Sequence, residues 1–265
     1  RAVGFETQRG CPYTCTFCNS PSNNVEYKAE TGGKFHRKKS IKRMKKELDF
    51  LVKKYDPNLI YFVVDTFLAM SNREFDELKE LYSDYKIPFW MNTRAETINE
   101  YRAAGLAEMN MLRMNIGIEH GNYEYRRNYL KRNVKNEVQI RAFQIAAEHD
   151  YASCANSIIG MPDETRDLIF DTINFVRELP DSIDATGAFI FAPYHGTPLR
   201  DLAIRKGYIK DEEICSLSNT SESMLRMPTI TKNEIQGLAK TFSLYTKFPK
   251  ERWPEIKIAE SDGVE

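Results

Sequence analysis

The sequence is short of cysteine, of unbalanced charge and of long apolar runs, and each shortage excludes something. Five cysteines in 265 residues is an odd count. No secretory signal is visible either, so a disulfide framework is not expected. Lysine plus arginine (38) equals aspartate plus glutamate (38), so net charge gives no case for nucleic acid or a membrane surface. No apolar run approaches the roughly 20 residues of a spanning helix. Low-complexity segments are absent. What remains is ordinary for a globular chain, with 42% hydrophobic and 29% charged residues. The length suits one large domain or two modest ones.

Three of the five cysteines are concentrated. Cys11, Cys15 and Cys18 stand at C-x3-C-x2-C within Thr7-Gln8-Arg9-Gly10-Cys11-Pro12-Tyr13-Thr14-Cys15-Thr16-Phe17-Cys18-Asn19, while Cys154 and Cys215 are isolated. Three thiolates in so short a loop suit a soft metal site. A closed structural zinc site takes four ligands, and a four-iron cluster is usually held by four cysteines. Three thiolates on such a cluster leave one iron open to chemistry. Phe17 is placed to shield it from water. The competing readings are a zinc knuckle completed by His36, and plain buried cysteines.

Along the chain, short apolar stretches alternate with helical patterns. Strands are expected at 2–6, 58–64, 88–92, 112–118, 154–159 and 185–191. The run at 58–64 reads as a strand buried on both faces. Helices are expected at 40–55, 72–85, after Thr93-Arg94 and closed by Gly105, from Asn136, up to Leu179, and up to Lys206 before Gly207. Residues 20–33 read as polar and irregular. Six strand–helix units imply a parallel sheet, and right-handed crossovers would curl it into an open barrel. The expected fold is therefore α/β, a partial (β/α)6 barrel over residues 1–209. Residues 210–265 form a helical extension, with a capping box at Thr231 and Glu234 and a break at 248–254. In such barrels chemistry gathers at the carboxyl ends of the strands, and the polar motifs here all follow strands.

With the cysteine loop after the first strand of that barrel, residues 2–209 resemble a radical S-adenosylmethionine (radical SAM) domain. Gly117-Ile118-Glu119 resembles the strand-four motif whose carboxylate contacts the cofactor's ribose. Ile158-Ile159-Gly160-Met161-Pro162-Asp163-Glu164-Thr165 resembles the family's turn after strand five. Pro193-Tyr194-His195-Gly196-Thr197-Pro198-Leu199 resembles a stretch of the cobalamin-dependent and methylthiotransferase-like branches, with His195 in place of the usual proline and the backbone near Tyr194 against adenine. Asp65-Thr66 stands where many members carry a motif for the methionine amino group. The resemblance further implies Arg94 and Arg132 for the methionine carboxylate, an external electron donor, and a 4Fe-4S cluster on Cys11, Cys15 and Cys18 that cleaves SAM to begin radical chemistry.

The branch and the start at Arg1, already inside a strand, lead to the expectation of a fragment lacking an upstream cobalamin domain. The substrate is not readable. The alternatives are a cobalamin-independent methylthiotransferase-like enzyme and a non-catalytic metal-binding scaffold. The first is ranked lower because no second cysteine triplet and no basic module appear. Free cysteines in such a loop suggest a reducing cytoplasm. Plainer roles stand beside the functional ones: Glu119 as partner of an arginine, Asp65 as a turn cap, Arg94 and Arg132 in ion pairs. His120 and His195 are expected to face the barrel mouth, and 211–229 to line it. The run from Lys34 to Lys46 holds eight lysines and arginines and reads as a solvated helix face.

Overall fold

The computed structural model describes residues 1–215 and 222–261. Its central feature is a six-stranded parallel sheet in the order β1 (Ala2–Phe5), β4 (Leu59–Phe62), β5 (Phe89–Arg94), β6 (Met111–Glu119), β7 (Ala152–Ile159) and β8 (Ala185–Ile190). Neighbours in space follow chain order, and every pair is parallel. β1 and β8 do not pair with each other, so the sheet stays open. A separate antiparallel ribbon joins β2 (Gln8–Arg9) to β3 (Arg37–Lys38).

Alternation along the strands divides the sheet into two faces. Ile60, Phe62, Phe89, Met91, Met114, Ile116, Ile118, Ala155, Ile159 and Ile190 are buried in the apolar core. Each of these side chains larger than alanine contributes about 1.5–3 kcal/mol by leaving water. The intervening positions, Tyr61, Asn92, Asn115, Asn156, Ile158 and Phe189, line a cavity instead. The expected strand at 58–64, read as buried on both faces, therefore has one packed face and one that opens on a polar hollow.

The core is covered by α2 (Ile41–Tyr55), α3 (Asn72–Tyr82), α4 (Glu100–Glu108), α6 (Asn136–Glu148) and α7 (Arg166–Arg177). Short α5 (Tyr123–Asn128) follows β6, and α8 (Pro198–Arg205) follows β8 and ends before Gly207, whose φ is 71°. Then come α9 (Lys232–Lys247) and α10 (Trp253–Ser261), whose Ile235, Leu238, Phe242, Tyr245 and Ile256 belong to the same apolar core as the sheet. Arg177 Nη1 donates to the carbonyls of Tyr245 and Phe248, and the Thr186 and Thr246 hydroxyls stand 2.7 Å apart. The capping box of Thr231 and Glu234 is present.

Several expectations are corrected. Residues 20–33 are not irregular: α1 (Ser20–Thr31) occupies them, started by Pro21 and ended by Gly32 in the left-handed conformation. Only Ser20 of this helix is buried, so it carries no apolar stripe to read. Gly105 does not stop α4. It lies inside the helix, where any Cβ would overlap the Phe75 ring. The break at 248–254 is a single 3-10 turn (Lys250–Arg252) leading into α10, and Pro254 is tolerated there because first-turn amides need no partner. Of the expected mouth segment 211–229, residues 216–221 lie outside the described residues, and none of the others borders the central cavity. Among the described residues no helix is long and apolar enough to cross a membrane.

Candidate functional site

A cavity of about 680 Å³ opens at the carboxyl ends of the strands. It is bordered by the cysteine loop after β1, by Val63 to Thr66 after β4, and by the last residues of β5, β6, β7 and β8. Cys11, Cys15, Phe17, Cys18, Asp65, Arg94, Glu119 and Arg132 all border it. Of the site residues expected from sequence, only Tyr194 does not. Its N–H donates to the Ala192 carbonyl, and its own carbonyl accepts from the Thr197 hydroxyl at 2.7 Å, at the start of α8.

The cysteine loop is fixed from several directions. Gly10 turns it with φ 74° against Phe35, where any side chain would collide. The Ser20 hydroxyl accepts from Cys11 N–H (3.0 Å), and Asn24 Nδ2 donates to the Cys11 carbonyl (3.2 Å). Thr16 N–H donates to the Leu130 carbonyl, and the Thr16 carbonyl accepts from Leu199 N–H. Each sulfur also meets one polar group. The Thr66 hydroxyl lies 3.5 Å from Cys11 Sγ, Arg94 Nη1 donates to Cys15 Sγ (3.0 Å), and Ser20 N–H donates to Cys18 Sγ (3.4 Å). Burial raises the Cys11 thiol above its ordinary range and pushes Cys18 up to about 11.

That donor set fits a cluster better than a single ion. Among the described residues no three His, Cys, Asp or Glu side chains converge on one metal position. His36, the fourth ligand a zinc knuckle would need, does not border the cavity. A cluster with three cysteine-bound irons takes one thiolate per iron and so spreads them. The hydrogen-bonding group at each sulfur is the outer support that thiolate ligands call for.

Around the loop the charges are paired. Arg94 stands over the Tyr13 ring, its guanidinium carbon 3.8 Å from the ring centre, and its Nε donates to Glu96 Oε1 (2.6 Å). With Nη1 on Cys15 and Nη2 also on Glu96, all three nitrogens are engaged. Arg132 Nη1 donates to Glu119 Oε1 at 2.9 Å, and Nη2 donates to the Gly117 carbonyl. Its Nε is buried and lacks a partner. Asp65 is exposed at the mouth.

Glu119 is held unusually. The β6–β7 register shifts between Gly117 and Glu119, and Glu119 has φ 64°, a left-handed conformation that non-glycine residues rarely adopt. Such bulges re-aim a side chain beside functional sites. Gly117 leaves the space: a Cβ there would overlap Glu119 Oε1. Burial raises the pKa of Glu119 above the usual carboxylate range, against the opposing pull of Arg132 and Arg94.

Sequence reasoning missed the hollow's polar inner wall. Asn92 Nδ2 donates to the Tyr61 hydroxyl (2.7 Å), and Asn115 Nδ2 donates to Asn92 Oδ1 (2.9 Å). The available signal was an asparagine at an inward position of three successive apolar strands. The two histidines are corrected as well. His120 is fully buried, stacked on Tyr125, with Nε2 3.0 Å from Glu164 Oε1. His195 is exposed and off the cavity. The other carboxylate oxygen of Glu164 accepts from Gly160 and Met161 N–H, so this residue holds the turn after β7 together.

Comparison with known proteins follows this geometry. Residues 5–176 match the Radical SAM superfamily. An uncharacterised methyltransferase of Pyrococcus horikoshii is 31% identical over 199 residues, covering 75% of this chain and 41% of that protein. The anaerobic magnesium-protoporphyrin IX monomethyl ester cyclase of Rubrivivax gelatinosus is 25% identical over 207 residues, 73% of this chain and 33% of that one. The chain thus spans less than half the length of these relatives. Among solved structures, the cobalamin-dependent S-adenosylmethionine radical enzyme OxsB superposes with a TM-score of 0.65 at 17% identity, covering 98% of this chain and 46% of that one. The radical S-adenosylmethionine methyltransferase TsrM of Kitasatospora setae does so at 0.61 and 14%, covering 100% and 51%. These likenesses support the fold, and the family match covers the cysteine loop and the four strands β4 to β7: the chain belongs to the radical SAM superfamily.

Proposed function

We propose that this chain is the catalytic domain of a radical SAM methyltransferase that works with cobalamin. The observation that carries the radical chemistry is the convergence of Cys11, Cys15 and Cys18 on one cavity at the carboxyl ends of a parallel sheet, each sulfur met by its own hydrogen-bonding group. The methyltransferase relative and the two cobalamin-dependent or methyl-transferring structural neighbours support the finer reading.

The three cysteines would hold a 4Fe-4S cluster, whose bound chemistry is one-electron reductive cleavage of the SAM sulfonium. The chain's own residues bind, orient and exclude water. Arg94, committed to Cys15 and Glu96, serves the cluster ligand more than the methionine carboxylate. Arg132, with a buried free Nε–H, is the better-placed anion partner. Glu119 offers its carboxylate to the ribose, Asp65 stands at the mouth for the amino group, and Phe17 covers the loop.

The test is anaerobic reconstitution with iron and sulfide, then a search for 5′-deoxyadenosine after reduction with SAM present. Cluster absorption lost in Cys15→Ala, together with cleavage by the parent protein, is the expected result. Zinc binding with neither cluster nor cleavage overturns the reading. Methyl transfer to cobalamin added with the same mixture checks the finer part.

A further inference from the structure

The amide wall inside the cavity has no part in holding a cluster or in the ion pairs around it. Asn92 on β5, Asn115 on β6 and Asn156 on β7 stand at inward positions, two residues before Arg94, Gly117 and Ile158 at the mouth. Asn92 lies opposite Asn115, and Asn156 lies opposite Gly117, so Asn115 and Asn156 are diagonal neighbours across β6 and β7. Asparagine is depleted in strands. Three of them on one face of successive strands are therefore not explained by strand formation.

The hydrogen bonds of this wall run one way. Asn115 donates to Asn92, and Asn92 donates to Tyr61. Tyr61, the last acceptor, keeps its own hydroxyl proton to give. Asn115 Oδ1, at the other end, keeps its lone pairs. Among the described residues nothing bonds to that oxygen or to either end of the Asn156 carboxamide. Apolar side chains flank these open groups on the cavity: Ile158, Phe189 opposite it and 40% exposed, and Val63, 47% exposed.

Free charge is missing at this depth. Among the described residues every arginine that borders the cavity already has a carboxylate: Arg9 has Glu6, Arg94 has Glu96 and Arg132 has Glu119. Arg113, opposite Trp90 further down β6, does not border it. A carboxylate or phosphate set against the wall would lose its water and gain no free cation. A neutral amide loses less and has its hydrogen bonds restored.

We infer that this wall is the substrate subsite and takes an uncharged molecule that presents a carboxamide or lactam edge, N–H beside C=O, among apolar atoms. That edge pairs with the Asn156 carboxamide, each donating to the other, in the two-bond manner by which asparagine reads a planar edge carrying a donor and an acceptor. Asn115 Oδ1 and the Tyr61 hydroxyl serve its remaining polar atoms. The inference rests on the radical SAM reading only in naming the bound molecule a substrate.

The experiment is equilibrium dialysis of reconstituted protein, with and without saturating SAM, against four probes: pyridone (a ring lactam), N-acetylalaninamide (a peptide-type amide), benzoate and benzylamine. At least one amide should bind about tenfold more tightly than benzoate or benzylamine, and the tighter of the two amides tells a ring from a peptide link. Asn156→Leu should weaken that amide by about three- to tenfold, the worth of one neutral hydrogen bond. Its cluster absorption and urea midpoint should stay those of the parent, because Asn156 makes no bond in the free protein. Asn156→Asp, of the same size, should turn the preference toward benzylamine, a change that a merely structural role would not produce. Equal binding of benzoate, no binding of either amide, or an unchanged affinity in both variants would overturn the proposal. So would displacement of the amide by SAM, which would give the wall to the cofactor. If no cluster forms, the radical reading falls, and dialysis without SAM still decides whether the wall selects neutral amides.

Discussion

At the residue scale the site turns on small allowances. Glu119 reaches Arg132 because β6 bulges, because its own backbone adopts φ 64°, and because Gly117 carries no Cβ. Gly117→Ala should therefore displace the Glu119 carboxylate without disturbing the core. Glycine here has no left-handed φ to lose, as residue 119 carries the positive angle. Affinity for SAM should drop about tenfold, the roughly 1.4 kcal/mol of one charge-assisted hydrogen bond. Urea melting should move by less than about 1 kcal/mol, since the change lies at a cavity wall and not in packed core. Titration calorimetry on reconstituted protein reads the first, and Glu119→Gln should match it. A SAM affinity unchanged in both variants would remove Glu119 from the binding site.

This scale also shows what the sequence could and could not reveal. Eight of the nine residues picked out from motifs border the cavity, because all but Arg132, which comes after α5, end or closely follow a strand and the topology brings strand ends together. Roles beyond position were less legible. Arg94 looked like a carboxylate partner, yet its nitrogens face Cys15 and Glu96. Nothing in a linear pattern shows that a cysteine 79 positions away will claim a guanidinium. His120 was expected at the mouth. The turn after β6 instead folds it under Tyr125 toward Glu164.

Among the elements, the turn from Gly160 to Thr165 links β7 to α7 through one buried carboxylate. Glu164 is fully buried; Oε2 takes two backbone N–H groups, and Oε1 faces the His120 imidazole. His120 Nδ1 accepts from Asn122 N–H, which leaves the proton on Nε2, on the side of Glu164. The Nε2–Oε1 approach of 3.0 Å is not aligned as a hydrogen bond, so the two amides are the stronger part of the arrangement. Asp163 beside it accepts from Tyr129 and Tyr208, and Thr165 caps α7. Glu164→Ala strands two buried amides, at roughly 1–3 kcal/mol each. A loss of about 2–5 kcal/mol in urea denaturation is expected, with a much smaller loss for Glu164→Gln, whose carbonyl can still accept. Equal losses for the two would mean that charge, not acceptance, holds the turn. The α1 and α10 helices were illegible for a related reason. The position of α1 is set by Pro21 and Gly32 at its ends and that of α10 by contacts distant in sequence, not by an apolar stripe of their own.

For the molecule as a whole, the segment beyond residue 209 read as an appendage to a barrel, but its packing resembles an interior. α9 lies against β8 and α7. Gly237 lets α10 approach so closely that a Cβ would collide with the Glu260 carbonyl. Arg166, the first residue of α7, pairs with Glu260 at 2.6 Å, and Tyr245 donates its hydroxyl to the same carboxylate. These contacts hold the Glu260 carboxyl below its usual range despite burial. Five fully or nearly buried apolar side chains of α9 and α10 complete the core over β8. Ending the chain before Lys232 would uncover their partners on α7 and β8, at about 1.5–3 kcal/mol for each apolar side chain that loses its cover. Summed over five, that is comparable with the whole stability of an ordinary domain, about 5–15 kcal/mol. The truncated protein should therefore appear in the void volume on gel filtration and bind an apolar dye, while the parent elutes as a compact species. Arg166→Ala alone should cost far less, because the Tyr245 hydroxyl and Lys257 remain on Glu260. A soluble truncated barrel that still forms the cluster would show that the sheet and the helices α1 to α8 close their own core, and that the segment after residue 209 is an attachment after all.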